Sequence, residues 1–426
     1  MQQKDSWITI SGIMVLLATV LTIPGFPATP TSSKVLYRFK GGNDAGHPLG
    51  ALTFDAAGNL YGTTVQGGLE TCDGSPCGTV FKLALKSGGT WSESVIYRFA
   101  GGSDGSGPWA GLISDSAGNF YGTTSGGGTS GGGTVFKLTP SANGKWTESM
   151  LYSFCQLSKC VDGLGPYASL TFDRAGNLYG TTMSGGAVGS GTVFELTPNS
   201  NGSWTEIVLI NFGVNNNGSD PYGGLIFDLS TGNLYGTTVG GTSQGLYGTV
   251  FQLTSNSKGG WSQNVLYSFK GGKDGSGPRA SLVLDKVGNL YGSTYFGGGS
   301  TSCSSGCGTI FELKPKSNGK WTESVLHRFN SDEGANPYAG LTFDPAGNIY
   351  GATVYGGSSN LGLVFKLVPR RTGSWAYSVF FSMDGTLGEN PFGTPIFNNT
   401  GDKLYGTAGS CIEGGHCRGI VFEVTP

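Results

Sequence analysis

The stretch Gly58-Asn59-Leu60-Tyr61-Gly62-Thr63-Thr64 (GNLYGTT) decides the fold of this chain, because close versions of it recur along the sequence. Successive full copies lie 56 to 60 residues apart. A period of this size, built from short strand-like segments, is typical of β-propellers and related repeat arrays. Full copies begin at Gly58, Gly118, Gly176, Gly232, Gly288 and Gly347, and a degenerate copy, DKLYG, covers residues 402–406.

Each repeat contains four candidate strands, which we name A, B, C and D in chain order. They are rich in β-branched and aromatic residues and alternate with period two. The turn between A and B has the pattern D-x-x-G-N, in which Asp115 can bond its own turn backbone and Gly118 can adopt a positive φ. No helical period follows Ser32, so the chain is predicted to be all-β. In the second repeat the four strands are predicted at Ala110–Asp115, Asn119–Thr124, Gly133–Pro140 and Lys145–Phe154.

The two ends of the repeat array are complementary. The segment KVLYRF (residues 34–39) resembles a D strand with no A, B or C before it, and GIVFEVTP (residues 419–426) resembles a C strand with no D after it. The first strand is therefore predicted to complete the last blade and to close a seven-bladed propeller over residues 34–426, leaving only short protected edges. An open β-solenoid, the alternative, does not need complementary ends.

The repeated phrase itself is interpreted as scaffold, because seven copies indicate seven equivalent positions. Tyr61 and its equivalents are predicted to pack between neighbouring sheets. Gly62 is predicted to let another backbone approach closely, and the two threonines suit a strand.

Composition restricts the classes of function. The chain has 426 residues, of which 78 are glycine and 12% are aromatic, and its formal net charge is −2. The aromatic content argues against a disordered chain. No basic stripe is present, so nucleic-acid binding is not expected.

The N-terminal segment, residues 1–28, is interpreted as a signal peptide or an N-terminal anchor. Lys4 precedes an uncharged run from Trp7 to Ile23, which ends before Pro24. Such a run suits a secretory signal better than a membrane-spanning helix. We therefore predict an extracytoplasmic protein, which is secreted, periplasmic or held at the cell surface. Contact with a membrane is expected only if this segment is not cleaved.

The cysteines support export, because they form four close pairs and an even count in an exported chain indicates local disulfides. Metal binding is the alternative, but the four spacings differ and only three histidines are present. We predict no metal and no cofactor. The predicted disulfides are Cys72–Cys77, Cys155–Cys160, Cys303–Cys307 and Cys411–Cys417.

The unit G-N-L-Y-G-T-T-x-x-G-G…G-T-V-F-K-L resembles the bacterial exported tandem-repeat proteins known as GloVer-repeat or "choice-of-anchor" proteins. The resemblance covers roughly residues 34–426. It implies an extracytoplasmic repeat domain with no established enzymatic activity. The fold is also distantly similar to that of kelch-type propellers, which are binding platforms as often as enzymes.

Loop variation indicates where a ligand binds. Strand directions alternate, so the D–A and B–C loops share one face, which carries all four cysteine pairs and most of the variation. The residue after the D–A proline is aromatic in five of seven repeats, and is Leu49 or Arg279 in the other two. These rings can stack on sugars or on peptide side chains, or can simply pack between blades. The candidate ligand-binding residues are Trp109, Tyr167, Tyr222, Tyr338 and Phe392.

The acidic residues allow two further readings. Asp104, Asp162 and Asp274 recur in D–A loops, where such residues supply Ca²⁺ ligands or, more often, form turns on their own backbone. The recurring Glu93, with its equivalents Glu148, Glu206 and Glu323, belongs to the repeat and not to one site. Carboxylates available for glycoside chemistry on the loop face are Glu70, Asp73, Asp162 and Glu413.

The sequence therefore predicts an exported repeat scaffold that binds a glycan or a protein partner through its loop face. A structural component of the envelope or matrix is the first alternative. A carbohydrate-active enzyme using the same face is the second, although no nucleophile signature or paired catalytic carboxylates can be assigned, so catalysis is not expected.

Overall fold

The fold is described from a computed structural model, which covers residues 32–68, 71–72, 75–241, 247–256, 259–410 and 418–425. The strands form seven four-stranded antiparallel sheets arranged as the blades of a propeller, which confirms the predicted fold class. The predicted segment 1–28 lies outside the described residues. Among these residues no helix is long and apolar enough to cross a membrane.

Each blade has its strands in the order A, B, C, D from the central channel outwards. A small hairpin (Thr71–Cys72 and Ser75–Pro76) and two short 3-10 helices (Gly42–Asp44 and Ser158–Cys160) lie in the loops. The strands are, in blade 1, Thr53–Phe54, Leu60–Thr64, Thr79–Leu85 and Trp91–Arg98; in blade 2, Ile113–Ser114, Phe120–Thr124, Thr134–Pro140 and Trp146–Ser153; in blade 3, Thr171–Phe172, Leu178–Thr182, Thr192–Pro198 and Trp204–Asn211; in blade 4, Ile226–Asp228, Asn233–Thr238, Thr249–Ser255 and Trp261–Ser268; in blade 5, Val283–Leu284, Leu290–Thr294, Thr309–Pro315 and Trp321–Arg328; in blade 6, Thr342–Phe343, Ile349–Thr353, Leu363–Pro369 and Trp375–Ser382; and in blade 7, Ile396–Phe397, Leu404–Ala408, Ile420–Thr425 and Ser32–Arg38.

The ring is closed by the N-terminal strand, as predicted. Ser32–Arg38 pairs antiparallel with Ile420–Thr425 and so provides strand D of blade 7. On the inner side, the Thr407 hydroxyl donates a 3.1 Å hydrogen bond to the Gly50 carbonyl of blade 1. Both contacts join residues far apart in sequence, so closure fixes the last blade against the first.

The hydrophobic core lies between the blades. The Tyr61 ring of blade 1 lies 4.3 Å from the Phe120 ring and 5.9 Å from the Trp146 ring of blade 2. Tyr61 and Phe120 are almost fully buried. This confirms that the tyrosine of the repeated phrase packs between neighbouring sheets, where offset and edge-on aromatic contacts are favourable.

The prediction for Gly62 was wrong about the group that approaches it. A Cβ atom at Gly62 would lie 2.6 Å from Cζ of Phe81 and 3.1 Å from Cδ2 of Leu52, so side chains and not a backbone occupy the space. Gly62 lies directly opposite Phe81 in the B–C ladder, and the ring folds over the glycine. The other six repeats have the same arrangement at Gly122 and Phe136, Gly180 and Phe194, Gly236 and Phe251, Gly292 and Phe311, Gly351 and Phe365, and Gly406 and Phe422.

The two threonines of the phrase have separate structural roles. The Thr63 hydroxyl donates to the Ala110 carbonyl of the next blade at 2.7 Å. The Thr64 hydroxyl pairs with that of Thr79 in strand C of its own blade, also at 2.7 Å. Thr63 therefore joins blades and Thr64 joins strands within a blade, and both are buried.

The A strands are shorter than predicted. Only Ile113–Ser114 pairs with strand B in the second repeat, whereas the prediction began at Ala110. The physical reason is that residues 109–111 line the central channel, where the carbonyl of Ala110 accepts the threonine hydroxyl of the preceding blade and has no ladder partner.

The A–B turn forms as predicted. Oδ1 of Asp115 accepts the backbone N–H groups of Ala117 and Asn119, each at 2.9 Å, and Gly118 has a φ of +81°. Oδ2 accepts the Tyr121 hydroxyl at 3.0 Å. Burial acts to raise the pKa of Asp115, but these hydrogen bonds outweigh it and lower the pKa below its usual value. The turn thus ties the start of strand B to the Asp that precedes it.

Candidate functional site

The D–A and B–C loops lie on one face of the ring, which we call the loop face. In every blade a short antiparallel bridge joins the two loops, for example between Ser106 and Gly126. The loops on this face therefore support one another as pairs. The equivalent bridges join Gly46 to Gln66, Leu164 to Ser184, Ser219 to Gly240, Ser276 to Phe296, Ala335 to Tyr355 and Glu389 to Ser410.

Three of the four predicted disulfides are formed, and all three lie in loop-face loops. They join Cys72 to Cys77, Cys155 to Cys160 and Cys303 to Cys307. The predicted Cys411–Cys417 pair lies outside the described residues. Three disulfides indicate an oxidising environment, of the kind found outside the cytoplasm.

The aspartates of the D–A loops act as turn residues. Oδ2 of Asp104 accepts the Ala100 backbone N–H and the Tyr97 hydroxyl, both at 2.9 Å. Asp162 and Asp274 accept equivalent backbone and tyrosine donors. In the described part of the chain, no group of three or more His, Cys, Asp or Glu side chains is arranged to hold a metal ion.

Of the carboxylates considered for catalysis, the structure describes only Asp162. Asp162 is 1% exposed and bonds to Tyr152, Gln156 and Leu157. Glu70, Asp73 and Glu413 lie outside the described residues. The repeat glutamate Glu148 is half-buried, with an Oε1 that has no hydrogen-bond partner, and burial raises its pKa to about 7. The same features recur at Glu93, Glu206 and Glu323.

Of the three histidines, the structure describes His47 and His327. The His327 ring stacks on the Tyr377 ring with centroids 3.7 Å apart. Burial lowers the pKa of His327 to about 4, so the ring is neutral at neutral pH. Burial also lowers the pKa of His47. His416 lies outside the described residues.

The predicted aromatic residues converge at the loop-face end of the central channel, which we call the channel mouth. They form an arc in which each ring contacts the next. The centroid distances are 5.9 Å for Trp109–Tyr167, 5.3 Å for Tyr167–Tyr222, 5.7 Å for Tyr222–Tyr338 and 5.2 Å for Tyr338–Phe392. Below the arc, small residues such as Ala110 and Gly111 line a cavity of about 100 Å³.

These five rings differ from the aromatic residues of the core. Each is half-buried, and none belongs to the clusters of fully buried side chains between the blades. Burial raises the pKa of the Tyr222 and Tyr338 hydroxyls, which therefore remain protonated at neutral pH. The arc offers partly exposed ring faces together with hydroxyl donors.

One residue of the channel mouth, Arg279, is an exception to the aromatic column in the sequence. Arg279 stands between Tyr222 and Tyr338, and its guanidinium carbon lies 6.0 Å and 5.9 Å from their ring centroids. It is the only charged residue among the described residues that line the mouth. Its place in an otherwise aromatic column was the signal that could have identified it.

Larger clefts lie on the opposite face, between adjacent blades. One, of about 770 Å³ between blades 1 and 2, is lined by Asp55, Tyr61, Asp115 and Trp146. Another, of about 590 Å³, lies at the equivalent place between blades 5 and 6. Their lining residues belong to the repeated scaffold, so these clefts follow from the packing of the blades.

A solved structure with a similar fold supports this architecture. A solved structure of the polysaccharide lyase Uly1 has a TM-score of 0.55 and 10% identity, covering 93% of this chain and 99% of that one. A luciferin-regenerating enzyme has a TM-score of 0.41 and 12% identity, covering 93% and 95%. No curated protein matches the chain.

At 10% identity the likeness to the lyase shows the fold alone, and the resemblance to kelch-type propellers is a loose one of architecture. The sequence profile of the Gloeobacter/Verrucomicrobia repeat is more specific, because it matches residues 22–155, 70–304 and 299–426 and so spans the propeller. The chain belongs to the Gloeobacter/Verrucomicrobia repeat family.

Proposed function

We propose that the protein is an exported binding propeller whose channel mouth takes a saccharide ligand. The observation that carries the proposal is the convergence of five half-buried aromatic rings in one continuous arc on the loop face. Aromatic faces with nearby hydroxyl donors suit the apolar face and the hydroxyl groups of a sugar. Export, to the medium, the periplasm or the cell surface, accords with the three disulfides.

The size of the mouth defines how such a ligand binds. Pockets that enclose a small molecule usually measure about 300–1,000 Å³. The cavity below the arc is about 100 Å³, so a sugar residue is expected to lie across the rings and not to enter the channel. This geometry suits a chain of sugars that contacts several rings in turn.

The disulfides contribute by restricting the loops around the mouth. Cys155–Cys160 and Cys303–Cys307 each close a loop of only a few residues, next to blades 3 and 5. A loop fixed before binding loses less conformational entropy when the ligand arrives.

The test is a glycan array with the wild-type protein and the variants Trp109→Ala and Tyr167→Ala, with Trp146→Ala as a control on the opposite face. We expect the two mouth variants to lose saccharide binding while their melting temperatures stay close to that of the wild type. We expect the control to bind normally where it remains folded. A drop in melting temperature that accounts for the loss of binding would refute the binding role of the rings.

Two further assays distinguish saccharide binding from the other candidate functions. A peptide array run in parallel reports a protein ligand at the mouth. Incubation of any bound polysaccharide with the protein, followed by chromatography, reports cleavage and hence a carbohydrate-active enzyme. A protein that binds neither glycans nor peptides would instead be a structural component of the envelope or matrix.

A further inference from the structure

Arg279 is an unpaired cation within the aromatic mouth. In the part of the chain that the structure describes, no hydrogen bond or ion pair of its guanidinium is found, and its Nε is buried without a partner. A positive charge removed from water is costly unless an anion or a hydrogen-bond acceptor compensates it. The side chain as a whole is only half-buried, so part of it remains accessible to a ligand.

The protein compensates the charge of Arg279 only in part, through contacts with aromatic rings. The guanidinium carbon lies 4.4 Å from the Tyr295 ring centroid and 5.7 Å from that of Phe296. With Tyr222 and Tyr338, four rings surround it. Cation–π contacts hold a guanidinium in place but supply no hydrogen-bond acceptor, so its planar set of donors remains unused.

Comparison among the seven repeats shows that this environment is specific to blade 5. Arg279 is the only cation in its column, and Tyr295 is the only aromatic residue in its own column. The two departures from the repeat occur in the same blade and contact each other. The residues equivalent to Tyr295 are Val65, Ser125, Met183, Val239, Val354 and Gly409.

A cavity of suitable size is lined by Phe296, one of the rings that contact this arginine. It measures about 380 Å³ and lies on the loop face between the B–C loops of blades 4 and 5. Phe296 lines it and also contacts Arg279, so the ring connects the two. Tyr247, which is 42% exposed, also lines the cavity. The volume is within the range that holds one small ligand group.

We propose that the protein selects acidic saccharides, with an anionic oxygen group of the sugar paired with Arg279 and the sugar ring held against the neighbouring aromatic rings. A uronate carboxylate fits best, because a planar carboxylate accepts two parallel N–H groups of a guanidinium. This inference rests on the saccharide binding proposed above and names the class of saccharide.

The experiment measures the dissociation constant of the intact propeller for three probes: uronate oligosaccharides, the same oligosaccharides reduced to neutral sugars, and sulfated neutral oligosaccharides. The variants are Arg279→Met, Arg279→Lys and the control Arg328→Met, an exposed arginine of blade 5 that donates to the Lys273 carbonyl. A charge-assisted pair predicts that Arg279→Met weakens uronate binding by about tenfold to a hundredfold.

Arg279→Lys is expected to recover part of this affinity, because it keeps the charge but loses the paired geometry, and Arg328→Met is expected to have no effect. Uronate binding should weaken as salt rises. Arg279-dependent binding of the sulfated probe would support the inference with sulfate as the anionic group. Equal binding of the neutral and uronate probes, or an unchanged constant for Arg279→Met, would overturn the inference while saccharide binding stands. Absence of binding to all three probes would instead refute the proposed function.

Discussion

Replacing Gly122 with alanine tests the most repeated packing contact of the propeller. The new Cβ would lie 2.6 Å from Cζ of Phe136 and 3.0 Å from Cδ2 of Leu112, distances at which one of the groups must move. Phe136 is fully buried and its ring is held at 5.1 Å by the Phe99 ring, so it cannot swing aside. Gly122 does not have a positive φ, so the substitution adds no backbone strain to the steric clash.

The expected cost follows from overpacking of a full core. Gly122→Ala should lower the free energy of unfolding by about 1–3 kcal/mol. Gly102→Ala is the matched control, because no atom lies within 4 Å of its added Cβ and its φ is also not positive. The control should be neutral or more stable by about 0.4–1 kcal/mol, since alanine restricts the unfolded chain.

Urea unfolding followed by tryptophan fluorescence measures both variants, through a change in midpoint at constant slope. A second substitution, Phe136→Leu, removes the ring that the new methyl group meets. The double variant should therefore be more stable than the sum of the single effects predicts, with a coupling of about 0.5–3 kcal/mol. Equal urea midpoints for Gly122→Ala and Gly102→Ala would refute the claim that the phenylalanine ring requires glycine at this position of the repeated stretch.

Three further predictions concern the scaffold. Because burial raises the pKa of the repeat glutamates from 4.5 to about 7, the folded protein retains protons that the unfolded chain releases, so stability should fall as pH rises from about 4.5 to 7. Glu148→Gln, which copies the natural Gln263 of blade 4, should reduce the fall of the urea midpoint between pH 4.5 and 7. An unchanged pH dependence would contradict the assignment of this fall to the repeat glutamates. Thr63→Val should cost about 1–3 kcal/mol by leaving a buried carbonyl unpaired, measured by urea unfolding; a cost near zero would mean that the inter-blade bond is not needed. Joint replacement of Cys303 and Cys307 by serine should lower the unfolding free energy by roughly 2 kcal/mol and leave the circular dichroism spectrum unchanged, and loss of the β spectrum would show that the disulfide is required for folding.

The architecture was predictable because the strand pattern of one blade recurs seven times in the sequence. Each copy of the phrase repeats the same strand pattern, and the unmatched segments at 34–39 and 419–426 show how the ring closes. Short cysteine spacings restrict pairing to local partners, which is why three described disulfides agree with the prediction. Features repeated along a chain can be found without knowing what they contact.

Contacts across strands and blades were harder to predict. The need for glycine at position 62 depends on the register that sets it opposite Phe81, which the sequence does not display. The shortening of strand A depends on a threonine of the preceding blade, 47 positions away at Thr63 and Ala110. The proposed role of Arg279 depends on Tyr295, whose ring centroid lies 4.4 Å from the guanidinium carbon in the folded chain.

The candidate site was also predictable only in part. The column of Trp109, Tyr167, Tyr222, Tyr338 and Phe392 was found from the repeat alignment alone, because the position after the D–A proline is fixed in every repeat. What alignment could not supply was the arc of ring contacts and the half-buried state of each ring.

The most direct test of the central claim, that the channel mouth and not the repeated scaffold binds the ligand, is a crystal structure of the protein with the best saccharide from the array. We predict electron density for the sugar across the rings of Trp109, Tyr167 and Tyr222, with its anionic group at Arg279. Density in the larger clefts of the opposite face, such as the one lined by Asp55 and Trp146, would contradict the account.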